Sequence, residues 1–184
     1  MNKKIITPRL VFIISIIIIA ATMRLIPHWP NFTPIAAIAL FGGTKLNKKW
    51  LAFLIPISAM LLSDLIIGFH NYIIPVYLCF AITVVFGIYI SKNTKTHKII
   101  FASLISSVLF FLITNFAVWL GSPFYTQDFN GLMACYAAGL VFLNDSSFGI
   151  SFFMNGLLGD LFYNTIFFGA FYLASLRFPV LAKA

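Results

Sequence analysis

The stretch YIIPVYLCFAITVVFGIYI-SKNTKTHK-IIFASLISSVLFFLITNFAVWL, Tyr72 to Leu120, decides the fold. Its polar centre, Ser91 to Lys98, carries Lys92, Lys95 and Lys98. On either side lies an apolar run without a single charged residue, about Tyr72 to Ile90 and about Ile99 to Leu120. Each is close to the ~20 residues an α-helix needs to cross a bilayer core. Short loops rich in lysine and arginine stay on the cytoplasmic side. The stretch therefore reads as two membrane spans joined by a cytoplasmic loop.

The same alternation runs through the whole chain. Basic residues cluster at Lys3, Lys4 and Arg9, at Lys45, Lys48 and Lys49, at Lys92, Lys95 and Lys98, and at Arg177 and Lys183. Eleven of the 12 lysines and arginines thus fall on one side, and only Arg24 does not. The four acids, Asp64, Asp128, Asp145 and Asp160, lie towards the other. The chain has 184 residues, 61% hydrophobic and 9% charged, with a mean hydropathy of +1.02. Soluble domains carry about a quarter charged residues, so this is a membrane chain, and its length suits one transmembrane domain over residues 1–184. The net charge of +8 is explained by cytoplasmic loop retention, and nucleic-acid binding is not expected.

Working outward, a first helix is expected from about Arg9 to Ile26. It resembles a secretory signal at its start, but no convincing cleavage site follows, and it reads as a first span. Pro27, Pro30 and Pro34 then impose an irregular, rigid outer loop. A short apolar segment, Pro34 to Thr44, returns to the basic loop. Further helices are expected over Trp50 to Ile67, Tyr72 to Ile90, Ile99 to Leu120 and Phe148 to Leu176, with a tight outer turn at Gly68 to Asn71. The interrupted segment Gly131 to Leu143 is expected in or near the outer interface. If it crossed, Arg177 and Lys183 would lie outside, and the charge ratio would fall from eleven against one to nine against three. The expectation is an all-α polytopic bundle of about six spans in the bacterial cytoplasmic membrane, both termini cytoplasmic.

Polar side chains concentrate in the outer half, while the inner halves of the first, third and fifth spans offer little beyond serine and alanine. Charged groups inside a membrane are costly and usually mark a site or a pair. Arg24 and Asp64 sit near the outer ends of their helices and can pair. Asp160, with Asn164 and Gly156 one turn away on the same face, reads as an acid bonded to nearby asparagines or as a proton or cation relay. Asn115 and Trp119 share a helix face, where the indole serves as interfacial belt or stacking wall. Cys79 and Cys135 have no CxxC or metal spacing and read as packing residues. The small-residue pairs Ala39/Gly43 and Ala170/Ala174 permit close helix contact. There is no P-loop, HExxH or GxSxG motif, so no catalytic residues, metal or cofactor are expected.

RLIPHWPNFTPIAAIALFGG (Arg24–Gly43), LIPISAMLLSDLIIGFH (Leu54–His70), NFAVW (Asn115–Trp119) and GLMACYAA (Gly131–Ala138) resemble a family of small bacterial integral membrane proteins over about Arg24 to Tyr172. That family is similar in size and layout to the substrate-binding S components of energy-coupling-factor vitamin transporters. The resemblance implies capture of a vitamin-like solute from outside, the first outer loop acting as a lid, with a separate transmembrane coupling subunit and ATPases as partners. S components dock through an alanine-xxx-alanine pattern in their first helix. Here Val11 to Ile19 has only Ser15 as a small residue, so a solitary transporter is the alternative arrangement.

The sequence reading is thus a transport protein that binds a small solute in an outward-facing pocket. Its expected lining is Arg24, Asn31, Asp64, His70, Asn115, Trp119 and Tyr136, with Arg24 holding an anionic group and the aromatics stacking on the ligand. The alternatives are a membrane enzyme acting on a lipid or isoprenoid, with Asp64 and His70 as acid–base groups, and a structural subunit of a membrane complex.

Overall fold

The computed structural model describes residues 7–69, 71–142 and 151–182, which form seven α-helices and two short 3-10 turns without any strand. The helices are α1 (Pro8–Met23), α2 (Ile35–Lys45), α3 (Lys49–Ile67), α4 (Ile73–Ile90), α5 (Thr96–Gly121), α6 (Phe129–Val141) and α7 (Phe152–Arg177). Four are long and apolar enough to cross a membrane: α3, α4 with its 3-10 continuation to Asn93, α5 and α7, with mean hydropathies of 2.1, 2.4, 2.2 and 1.3. Their outward faces carry Leu62, Ile66, Ile74, Tyr89 and Leu173, all widely exposed. A surface this apolar has no place in water.

Local chemistry sets the helix ends. Pro8 occupies the first turn of α1, and the Thr7 side chain accepts a hydrogen bond from the Leu10 amide at 3.2 Å. The helix ends at Met23, not at Ile26 as expected, because Pro27 disfavours helix in the residue before it. The chain tightens there, with Leu25 and Ile26 amides bonding three residues back. Asn31, at φ 64°, takes the left-handed conformation that turns the loop towards α2. Gly68, at φ 103°, stops α3. The α5 helix begins at Thr96, inside the segment read as loop. The expected start of the last helix, Phe148, lies outside the described residues, as does His70.

The short apolar segment after the proline loop forms α2. At 11 residues, α2 extends about 16 Å, half of a ~30 Å hydrocarbon core. Nearly all of it is buried, Ile35 and then Ala37 to Thr44. It is a central helix, packed against α4, α3, α7, α1 and α5. Two close approaches seat it. A Cβ on Gly43 would strike the Val84 carbonyl, and one on Gly87 would lie 2.5 Å from the Leu40 carbonyl. A Cβ on Gly42 would meet the ring of Pro56 in α3 at 2.8 Å. On the opposite side Phe41 packs its ring against Phe167, Phe168 and Phe171 of α7, at centroid distances of 5.9, 5.3 and 6.0 Å. Of the two small-residue pairs, Ala39/Gly43 is buried at this crossing, whereas Ala170 faces outward.

Basic residues gather at one end of the bundle. Arg9 donates to the Lys45 carbonyl at 3.2 Å and to the Ala182 carbonyl at 3.4 Å, tying the start of α1, the end of α2 and the turn after α7 together. Lys49 and Lys92 border the same hollow as Arg9. The Lys45 ammonium stands 4.9 Å from the Phe171 ring centroid.

Replacing Gly87 with alanine is expected to destabilise the bundle by about 1–3 kcal/mol through overpacking, read as a lower thermal unfolding midpoint in detergent. A midpoint equal to wild type would show that α2 and α4 do not depend on this close approach.

Candidate functional site

At the end of the bundle away from the basic residues, α5, α6 and α7 part to enclose a cavity of about 370 Å³, within the usual range for small-molecule sites. The α5 wall carries Ser107, Phe110, Phe111, Thr114, Asn115 and Val118. The α6 wall carries Cys135, Ala138 and Gly139, with Phe142 just beyond it. From α7 come Phe152, Phe153, Gly156, Leu157 and Asp160. Asn31 and Thr33 of the proline loop, Ile35 and Ala36 of α2, Phe80 of α4 and Tyr125 close the remaining sides.

Helical spacing puts these groups on one face. Ser107, Phe110, Phe111, Thr114, Asn115 and Val118 recur at three- and four-residue intervals along α5, and Phe153, Gly156, Leu157 and Asp160 do so along α7. Gly139 and Gly156 keep the walls close to polar groups. A Cβ on Gly139 would collide with the Asn115 Oδ1, and one on Gly156 would lie 2.8 Å from Asn31 Nδ2.

Both asparagine amides have fixed orientations, since their partners are carbonyl oxygens that only an N–H can meet. Asn31 Nδ2 donates to the Phe152 carbonyl at 2.8 Å, and Asn115 Nδ2 to the Phe111 carbonyl at 2.9 Å. Asn155 Nδ2 donates to the Pro30 carbonyl at 3.0 Å, so two side-chain bonds fasten the proline loop to α7.

At the deep end, Ser107 donates to Asp160 Oδ2 at 2.7 Å. One turn further in, Asn164 Nδ2 donates to Ser103 Oγ at 3.0 Å. Asp160 is therefore held by a serine of α5, and the asparagine expected beside it pairs with a different serine. Ser106 Oγ and Asn164 Oδ1 are buried without a hydrogen-bond partner among the described residues. The recurrence Ser103, Ser106, Ser107 was the available sequence signal for this polar seam, because one α5 face repeats hydroxyls at three and four residues.

Asn31 and Asn115 are thus the two residues of the expected lining that border the cavity. Arg24 and Asp64 do not. Their groups pair at 2.8 Å across α1 and α3, with Tyr77 of α4 donating to Asp64 Oδ2 at 2.8 Å and Arg24 also bonding Ser63. Both side chains are largely buried, 12% and 4% exposed, so the pair fastens three helices and leaves no free guanidinium for an anion. Trp119 lies outside the lining because its Nε1 donates to the Thr126 carbonyl at 2.8 Å, binding the indole to the α5–α6 loop. Tyr136 donates to the Leu112 carbonyl at 3.1 Å and packs its ring at a tilt against Phe111, outside the cavity lining. His70 lies outside the described residues. Both cysteines are free and buried, and Cys135 borders the cavity with its Sγ 3.4 Å from the Asn115 carbonyl.

The α6 wall depends on its first turn. Asp128 caps the helix, accepting from the Gly131 amide at 2.7 Å and the Thr126 hydroxyl at 2.8 Å. The Gly131 amide, and then the Thr126 hydroxyl, hold the Asp128 carboxyl below the usual aspartate range.

Fold and site together define a helical protein with four membrane-crossing lengths and a ligand-sized cavity at one end. Residues 4–181 match the family of unknown function DUF6580, and the chain belongs to that family. No curated protein and no solved structure matches it.

Two predictions follow from these contacts. Arg24→Ala strands a buried carboxylate, which typically costs about 3–5 kcal/mol, and the double variant with Asp64→Ala is expected to recover part of that loss. Equilibrium unfolding of all four proteins measures it, and strict additivity would deny the pair its role. The second concerns pH. A depressed carboxyl stabilises above its ordinary value near ~3.9 and stops doing so as pH falls through the lower, folded value. Cleavage in the α5–α6 loop under limited proteolysis with an acid-active protease should therefore rise below about pH 4. Asp128→Ala should show the raised cleavage already at neutral pH, read there with a protease active at that pH. Equal cleavage of variant and wild type at neutral pH would remove the cap from the account.

Proposed function

We propose that this protein is a six-span protein of the bacterial cytoplasmic membrane, both termini inside, that binds a small vitamin-like solute from the outer side and moves it inward. The observation that carries this reading is the cavity of about 370 Å³ at the end opposite the basic residues. Basic loops favour the cytoplasmic side, which turns the cavity end outwards. In this arrangement α1 and the buried α2 count as the two short spans, and α6 lies across the outer ends of α5 and α7. The fastened proline loop and α6 are the segments that would move to admit a solute, since both contribute lining side chains.

The sequence has no P-loop motif, so inward movement is not driven by P-loop ATP hydrolysis in this chain. The S-component-like arrangement supplies the energy through a membrane coupling subunit and ATPases. A solitary carrier would release its solute down a gradient. Catalysis has less support, because Asp64 is committed to Arg24 and Tyr77 away from the cavity.

Gently purified full-length protein is expected to retain a small molecule in native mass spectrometry, and Ala138→Trp, which fills the cavity from α6, should lose it. Wild-type protein with nothing bound, together with no solute uptake in cells overproducing it, would defeat the transport reading. ATPases co-purifying with the wild type would favour the S-component-like arrangement over a solitary carrier.

A further inference from the structure

The groups bordering the cavity favour one sign of charge. Among the described residues, Asp160 is the one carboxylate that borders it, and no lysine, arginine or histidine does. The Arg24 guanidinium, outside the lining, is committed to Asp64. Asn31 and Asn115 each spend one amide N–H on a backbone carbonyl, which leaves one N–H and the Oδ1 of each open, and the Thr33 and Tyr125 hydroxyls also border the cavity. The Thr114 hydroxyl spends its hydrogen on the Phe110 carbonyl at 2.7 Å, and Ser107 spends its own on Asp160. A carboxylate offers about four lone-pair positions, and Ser107 fills one of them. The remaining walls are aromatic, led by Phe80, Phe110, Phe111 and Phe153. Phenyl faces attract cations and stack on flat rings.

An anion would enter such a cavity beside the Asp160 carboxylate and without a countercharge, at a desolvation cost that neutral donors offset only in part. A cation would meet a carboxylate, carbonyl-type acceptors and ring faces. We infer that the cavity takes a ligand with a flat apolar body and a protonated nitrogen, its ammonium group at Asp160 and its ring among the phenylalanines. This rests on the cavity being the solute site and names the solute's chemical class. It also reverses the charge expected from the sequence, where Arg24 was assigned an anionic group.

Three probes of the same ring system separate the charges: tryptamine (cation), tryptophol (neutral) and indole-3-acetate (anion). Purified full-length protein in an uncharged detergent at neutral pH is titrated with each, following both the thermal midpoint and calorimetric affinity. Tryptamine is expected to bind tightest and indole-3-acetate weakest. Asp160→Asn should weaken tryptamine by about tenfold or more, as loss of a buried charge partner does, and level the preference among the three. Ala138→Trp should abolish tryptamine binding. The wild-type comparison stands even where Asp160→Asn does not fold. Indole-3-acetate binding as well as tryptamine, or a cation preference that survives Asp160→Asn, overturns the charge assignment and leaves the cavity as a solute site. Tryptamine binding unaffected by Ala138→Trp places it elsewhere and overturns the inference. No binding of any probe overturns the inference and counts against the solute-site reading itself.

Discussion

The crossing of α2 with α4 at Gly43 and Gly87 is the constraint on which the remaining architecture depends. The two backbones approach so closely that neither position has room for a side chain. That approach lets an eleven-residue helix sit in the middle of the bundle and still reach its neighbours on every side. Close backbone contact of this kind matters most where lipid surrounds the protein. Apolar side chains gain little by leaving hydrocarbon for a protein interior, so packing has to come from small residues and shape. With α2 seated, Phe41 meets the α7 phenylalanines, and Arg9 and Lys45 close the basic end.

The two ends of the bundle are built on different principles. At the basic end, cations lie over phenyl rings and bond carbonyls at the chain's turns. At the other end, the Arg24–Asp64 pair binds α1 and α3 with help from Tyr77, and the cavity lies to one side, among α5, α6 and α7. Separating the ion pair from the cavity has a chemical consequence. A paired guanidinium holds helices together, while Asp160, with one serine donor, retains unused acceptor capacity towards the cavity. One acid is structural and the other faces a potential ligand, and sequence position does not distinguish them.

The α6 helix illustrates how a segment too short to span can still matter. Its thirteen residues are capped by Asp128 and pack on α5 and α7, where Cys135, Ala138 and Gly139 form one wall of the cavity. Membership of DUF6580, a family of unknown function, sets the chain's relationships without assigning it a ligand. The cavity's chemistry is therefore the most direct guide to what the protein handles.

Much of this architecture was legible in the residues themselves. Long uncharged runs separated by short lysine-rich loops announced an all-helical chain with helices of membrane-crossing length, because a bilayer forces a spanning backbone to satisfy its own hydrogen bonds. Proline placement announced the irregular loop after α1, and the outer positions of Arg24 and Asp64 made their pairing foreseeable. Asn31 and Asn115 were also identifiable as polar groups of the right half. What sequence could not rank was which polar residues face a shared space. Trp119 and Tyr136 resemble binding residues by type and depth, yet each spends its donor on a nearby carbonyl. Ser107, Thr114 and a set of phenylalanines are unremarkable one by one and become a wall only when α5 is rotated against α7. The chain alone determined that it would be helical, apolar and polarised in charge, since those follow from composition and period. Helix rotation and the burial of α2 decided where the cavity lies and what charge it presents, because they arise from contacts between residues far apart in the chain.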